Sequence, residues 1–261
     1  MEKGVPIRSI TRSIAALKAI NRHGSLSMME ISRASEVPYP TACRIVQTLL
    51  YEGLIEMEPG RKRYRPTAMV QTLAHGFQND DELVTVARPH IVDFTRRAGW
   101  PVSVAVRVGR NMMLRDSTHA NTSLTFEHYY PGFTLPILES ASGKVSMAYA
   151  PDDERGMILQ WMRVSQEIDL AYLATAEASL DVERIRSQGY AVQGRNHFNL
   201  TPGKTTSIAV PIFKNGVYQA AMTMVFFVSA MKLDHALATY LDDLKATAAA
   251  ISEELGDRAL Q

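Results

Sequence analysis

The stretch "YPTACRIVQTLLYEG", residues 39–53, restricts the fold more than any other part of the chain. Ala42, Ile45, Val46, Leu49 and Leu50 fall at i, i+3, i+4, i+7 and i+8, a complete apolar stripe on one side of an α-helix. Pro40 sits in the first turn, where its missing N–H breaks no helical bond, and Gly53 lies just beyond the end. Thr41, Arg44, Gln47 and Thr48, with Tyr39 at the start, carry hydrogen-bonding groups on the other side. A helix with this profile buries one face in a small core and offers the other to a polar partner.

The preceding residues supply that core. A helix is expected from Ser9 to Arg22, with Ile10, Ile14, Leu17 and Ile20 inward, ended by His23-Gly24. Ser27 and Glu30 have the spacing of a capping box and open a short second helix with Met28, Ile31 and Ala34 inward. Two short helices, a tight turn and a longer helix with a polar outer face read as a helix-turn-helix, whose second helix enters the DNA major groove. The next segment strengthens that reading. In "LIEMEPGRKRYRP" an alternating strand runs into Pro59-Gly60 and returns with Arg61, Lys62, Arg63 and Arg65. A cationic hairpin behind a recognition helix is a wing, and its charges face phosphate. Net charge divides the same way. Residues 1–75 hold 11 Lys/Arg against 6 Asp/Glu, a net +5, whereas the rest hold 17 against 21, a net −4. The expected partner of this head is a double-stranded DNA operator.

Beyond residue 66 the pattern changes. "TAMVQTLAHGFQ" (67–78) reads as a helix leading out of the wing, with Met69, Val70, Leu73 and Phe77 on one side, a stripe suited to a subunit contact. A second helix is expected over Asp81–Ala98. Strands are expected at 102–108, 111–117 and 123–129, then a small-residue helix from "ESASGKVSMAYA" and helices at 152–163 and 177–188. Further strands follow in "GYAVQGR", "KTTSIAVPIF" and "GVYQAAMTMVFFV", and a C-terminal amphipathic helix closes the chain. Strands and helices mixed with hairpin spacings imply an α+β domain, an antiparallel sheet with flanking helices. The expected division is a winged helix-turn-helix over 1–66, a linker helix over 67–80 and an effector-binding domain over 81–261.

"RSITRSIAALKAI", "SLSMMEISRASEVPYPTACRIVQTLLYEGLIE" and "KRYRPT" resemble the DNA-binding domain of the IclR family of bacterial transcriptional regulators. "LPILESASGKVSMAYAP", "IRSQGYAVQ" and "TSIAVPIF" resemble that family's effector-binding domain, in the same order. The resemblance implies a GAF-like second domain and an effector held by the helix start and two strands. Position by position this points to Leu135, Ser142, Gly143, Ser207, Thr223 and Val225. Ser207 stands where a Cys is often found, and "GRNHFNLTPG" replaces an acidic segment, leaving His197 near the place of a carboxylate. The chain from Trp100 to Gly143 looks most like the branch controlling degradation of aromatic acids.

Arg115 and His119, close together in "RDSTH", could hold the carboxylate of such a ligand, with Met112, Met113, Leu114 and Met222 against its ring. Catalytic chemistry finds little support. "TPGKTTS" lacks the first glycine of a phosphate loop, since position 198 is Phe198, and "SASGK" lacks that of a nucleophile elbow. The 7 His show no helical i, i+4 pairing, and the single Cys43 forms no zinc site. No cofactor or metal is expected, no secretory signal or membrane-spanning run is visible, and the cytoplasm is the expected compartment. A homodimer or homotetramer is expected, because one winged domain reads only a half-site. Two other readings stay open at the level of sequence, a DNA-binding protein whose second domain serves assembly only and an enzyme fused to a DNA-binding domain.

Overall fold

The computed structural model describes residues 6–73, 81–125, 129–164, 170–178, 180–194 and 203–258. The chain forms two compact units, Met1–Asn79 and Asp80–Gln261. Each has its own apolar core.

In the first unit α1 (Arg8–His23), α2 (Met28–Ala34) and α3 (Tyr39–Tyr51) enclose Ala16, Ile20, Ile31, Ala42, Val46 and Ile55. The capping box forms: the Ser27 N–H donates to Glu30 Oε2 at 2.7 Å, and the Glu30 N–H donates to Ser27 Oγ at 3.4 Å. The Ser27 N–H and the Ser27 hydroxyl, which donates to Glu30 Oε2 at 2.9 Å, hold the Glu30 carboxyl below the usual carboxylate range, with Arg63 adding a smaller effect. The stripe of α3 is buried as its spacing predicts, with Leu50 partly covered. α1 departs from expectation. Ile10 and Ile14 are 54% and 49% exposed, and Ala16 and Ala19 face the core beside the expected Ile20. The crossing with α2 and α3 places the small residues inward. Ala34 ends α2 in solvent.

The wing is an antiparallel pair, β2 (Ile55–Met57) and β3 (Arg63–Pro66), in register Ile55↔Pro66, Glu56↔Arg65 and Met57↔Tyr64. A two-residue strand, β1 (Leu26–Ser27), pairs with the other edge of β3. It is too short to leave a periodic signal. After the wing the Thr67 hydroxyl donates to the Gly53 carbonyl at 2.5 Å and accepts from the Met69 N–H at 3.2 Å. The Val70 N–H donates to the Thr67 carbonyl, an i→i+3 bond, and residues 68–73 wind as a 3₁₀ helix. The linker was expected to be α-helical. The bonds to Thr67 tighten its first turns, and 74–80, with Phe77, lie outside the described residues. Of its apolar stripe, Met69 and Leu73 are exposed.

The second unit is an antiparallel six-stranded sheet in the order β6-β5-β4-β9-β8-β7. Its strands are β4 (Val102–Val108), β5 (Asn111–Ser117), β6 (Thr134–Pro136), β7 (Ala191–Gln193), β8 (Thr205–Lys214) and β9 (Val217–Phe227). The long helices α4 (Asp81–Ala98) and α9 (Leu233–Arg258) pack on one face, where Phe94, Ile251 and Leu255 meet Val104, Ile208, Val210, Met222 and Met224. The other face carries α5 (Ala141–Tyr149), with α6 (Asp152–Val164), α7 (Leu170–Ala178) and α8 (Val182–Gln188) nearby. The structure corrects two expectations in this unit. The strand expected at 123–129 is absent from its described residues, and the third strand is the later β6. The helix expected at 177–188 is two, because Asp181 starts α8 by accepting from the Arg184 N–H at 3.0 Å.

Candidate DNA interface and effector cavity

Tyr39, Arg44, Gln47 and Thr48 stand exposed on one side of α3, with Thr41 half-buried beside them. Thr48 Oγ1 donates to the Arg44 carbonyl at 3.0 Å, so its hydroxyl reaches outward only as an acceptor. The four wing cations separate. Arg61 and Lys62 are exposed at the turn between β2 and β3. Arg63 folds back instead. Its Nε donates to Ser25 Oγ at 3.1 Å, its Nη2 donates to the Ser25 carbonyl at 2.9 Å, and it lies 3.0 Å from Glu30. Arg65 pairs with Glu56, its partner across the strands, at 2.6 Å. The sequence grouped these cations by proximity in the chain, whereas the strand geometry assigns two of them to neighbouring carboxylates.

In the second unit, alternation along the central strands builds a cavity. Ile208, Met222 and Met224 point to α4 and α9, so Ser207, Thr223 and Val225 point to the opposite face. Ser103, opposite Thr223 in the register, joins them. Small side chains on that face leave space between the sheet and the start of α5. Leu114, Leu135, Tyr129 and Phe133 form the apolar side of this space, and His119 and Glu139 also line it. Tyr129 meets the Phe133 ring edge-on at 5.1 Å and the His119 ring at 4.5 Å. His119 Nδ1 is hydrogen-bonded to Ser117 Oγ at 2.5 Å. The start of α5 closes the floor, where the Ser140 side chain accepts from the Gly143 N–H at 3.1 Å. Thr223 Oγ1 is buried with no hydrogen-bond partner among the described residues. Glu139 is only 6% exposed, and burial pushes its carboxyl up to about 7.

The structure therefore brings together His119, Leu135, Ser142, Ser207, Thr223 and Val225. It sets two expected site residues, Arg115 and Gly143, apart. Arg115 does not line the cavity. Val104 pairs with Asp116 and Ala105 with Leu114, so Arg115 is the inserted residue of a β-bulge, outside the register that brings Leu114 inward. Gly143 is there for packing, since a Cβ would sit 1.8 Å from the Ile137 carbonyl oxygen. His197 lies outside the described residues. Met112, Met113 and Met222, expected against a ligand ring, do not line this cavity, and Met222 belongs to the α4–α9 core. Glu139, Tyr129 and Phe133 escaped notice in the sequence. The one usable signal was an acid placed directly after the apolar run "LPIL" and before a helix cap.

Among the described residues no group of three His, Cys, Asp or Glu could hold a metal ion, and no helix is long and apolar enough to cross a membrane.

Comparison with known proteins decides the family. Residues 9–59 match the IclR helix-turn-helix domain, and residues 77–253 match the bacterial transcriptional regulator IclR C-terminal domain. The chain belongs to the IclR family. It is a transcriptional regulator with a DNA-binding helix-turn-helix domain and an effector-binding domain. Among IclR relatives, the HTH-type transcriptional regulator BhcR of Paracoccus denitrificans is 26% identical over 212 residues, 79% of this chain and 72% of BhcR. XynR of Escherichia coli is 22% identical over 252 residues, 96% and 98% of the two chains. An IclR homologue from Microbacterium hydrocarbonoxydans, solved in complex with 4-hydroxybenzoate, shares the fold at a TM-score of 0.68 and 22% identity, covering 96% of this chain and 99% of that one.

Proposed function

We propose that this IclR-family regulator responds to an aromatic carboxylate, such as a hydroxybenzoate or a phenylpropanoid acid, and controls catabolism of that acid. The reading rests on the cavity, which combines apolar side chains (Tyr129, Phe133, Leu114, Leu135) with hydroxyls (Ser207, Thr223) and a helix start. A ring suits the first, ring hydroxyls the second, and a carboxylate the free N–H groups at the start of α5. The homologue solved with 4-hydroxybenzoate supports the ligand class. The cavity holds about 70 Å³ as it stands. A cavity of about 150 Å³ accepts benzene, so a ring enters with movement of the side chains that line the space. On the other unit, Tyr39, Thr41, Arg44, Gln47 and Thr48 read bases while Arg61 and Lys62 bind phosphate, in a homodimer or homotetramer on a two-fold operator.

Calorimetric titration of aromatic acids and short aliphatic keto acids tests the effector. At least one aromatic acid is expected to bind, and glyoxylate or pyruvate binding with no aromatic acid binding would reject the class. His119→Ala is expected to weaken the aromatic acid by about 1.5–3 kcal/mol through loss of a charge-assisted bond. Arg115→Ala, at the bulge, is expected to leave affinity unchanged.

A further inference from the structure

Glu139 is an anionic residue type inside the cavity proposed to take an anion. It precedes the Ser140 cap of α5, is almost fully buried and lines the same space as Ser142, Ser207 and Thr223. Among the described residues, no Lys or Arg lines that space. A carboxylate seated there meets Glu139 at short range. Two like charges 4 Å apart in a medium of effective dielectric about 20 repel enough to weaken binding on the order of a thousandfold. An ionised Glu139 would defeat the site, whereas a protonated one adds an O–H donor.

We propose that Glu139 receives the effector as its neutral acid, so that binding of the carboxylate takes up a proton from solvent. The proton comes from water or buffer and bonds to a Glu139 oxygen, and the O–H then donates to the ligand carboxylate. No covalent bond to the ligand forms. The proposal rests on the carboxylate reading above. Glu139 thereby becomes a specificity residue: it favours weak acids, which share a proton readily, over ligands that offer no acceptor.

Other titratable groups line the cavity or lie on the elements near it. His119 and Tyr129 face the same space. On α5, Lys144 reaches the Val192 carbonyl at 3.5 Å, and burial lowers its pKa. Glu177 on α7 pairs with Arg163 at 2.6 Å, and Arg115 lies at the bulge of β5. Burial is the cause that raises the Glu139 carboxyl to about 7. Protonation of the free protein is therefore about half complete near neutrality, and apparent affinity scales with the protonated fraction.

The test uses the full chain and 4-hydroxybenzoate. Binding is expected to be about tenfold weaker at pH 8 than at pH 6. Titrations at pH 8 in buffers of different ionisation enthalpy are expected to show uptake of nearly one proton. In Glu139→Gln, a neutral isostere, the pH dependence should disappear and affinity at pH 8 should approach the wild-type value at pH 6. Binding that is independent of pH, or a pH dependence that survives in Glu139→Gln and so belongs to His119 or another group, overturns the proposal and leaves the aromatic-acid reading intact. If no aromatic acid binds at either pH, both fall.

Discussion

At the scale of single residues, the structure assigns different work to side chains that look alike in the sequence. Arg44 is exposed on the outer face of α3. Its replacement by Ala is expected to weaken a specific operator by about 1–3 kcal/mol and relax base preference. Arg61→Ala or Lys62→Ala should weaken specific and random DNA alike and lower the salt slope by about one unit each. Binding assays on both DNAs across a salt series separate the two classes. Arg63, tied to Ser25 and Glu30, should act differently. Arg63→Ala is expected to lower the stability of the first unit more than it lowers the salt slope. Glu139 gives a pH signature without any ligand. Its folded pKa of about 7 lies above the ordinary value of 4.5, so folding favours the protonated form. The acid is neutral in both states below about 4.5. Stability then falls as pH rises to about 7 and levels off above it, a loss of at most about 3 kcal/mol. Glu139→Gln should remove this loss, read as a higher Tm than wild type at pH 8 and a similar Tm at pH 4.

At the scale of elements, the start of α5 and the end of β5 form the working parts of the cavity. The Ile137 carbonyl presses on Gly143 so closely that Gly143→Ala must displace backbone. A loss of at least about 2 kcal/mol is expected in denaturant unfolding, well beyond what the helix preference for Ala returns. A chain of polar bonds runs from the cavity to α4. His119 bonds Ser117 Oγ, the Ser117 N–H donates to Asp116 Oδ1 at 2.7 Å, and Arg88 of α4 donates to the same oxygen at 2.7 Å. α4 directly follows the segment joining the two units in sequence. Arg88→Ala is therefore expected to keep effector affinity while shrinking the effect of the effector on operator affinity, a coupling of typically about 1–3 kcal/mol. Operator titrations with and without saturating effector measure it, and an unchanged ratio would remove Arg88 from the path.

At the scale of the whole molecule, the charge division and the two-unit build fit a regulator whose DNA-reading head and ligand-reading body are separate folding units. One head spans a half-site only, so the full chain is expected to form at least a dimer and to bind a two-fold site more tightly than residues 1–78 alone. Light scattering at micromolar concentration and operator titration of both forms check this. A monomeric full chain, or equal affinity from the isolated head, would contradict it.

Local chemistry was enough for most elements of the head. The stripe of α3, the Ser27–Glu30 cap and the Pro59-Gly60 turn each depend on residues a few positions apart, whose spacing is written in the chain. The strands from 102 to 117 and the extent of α4 were legible for the same reason. Where a side chain finally points depends on neighbours distant in sequence. One bulge turned Arg115 away from the cavity, Glu30 and Ser25 drew the Arg63 side chain back toward the start of α2, and period-two alternation sent Met222 and Thr223 to opposite faces of the sheet. Glu139 reads as one more charged residue until the sheet and α5 enclose it, because burial is a property of the packed layers and only there does the carboxyl lose its water.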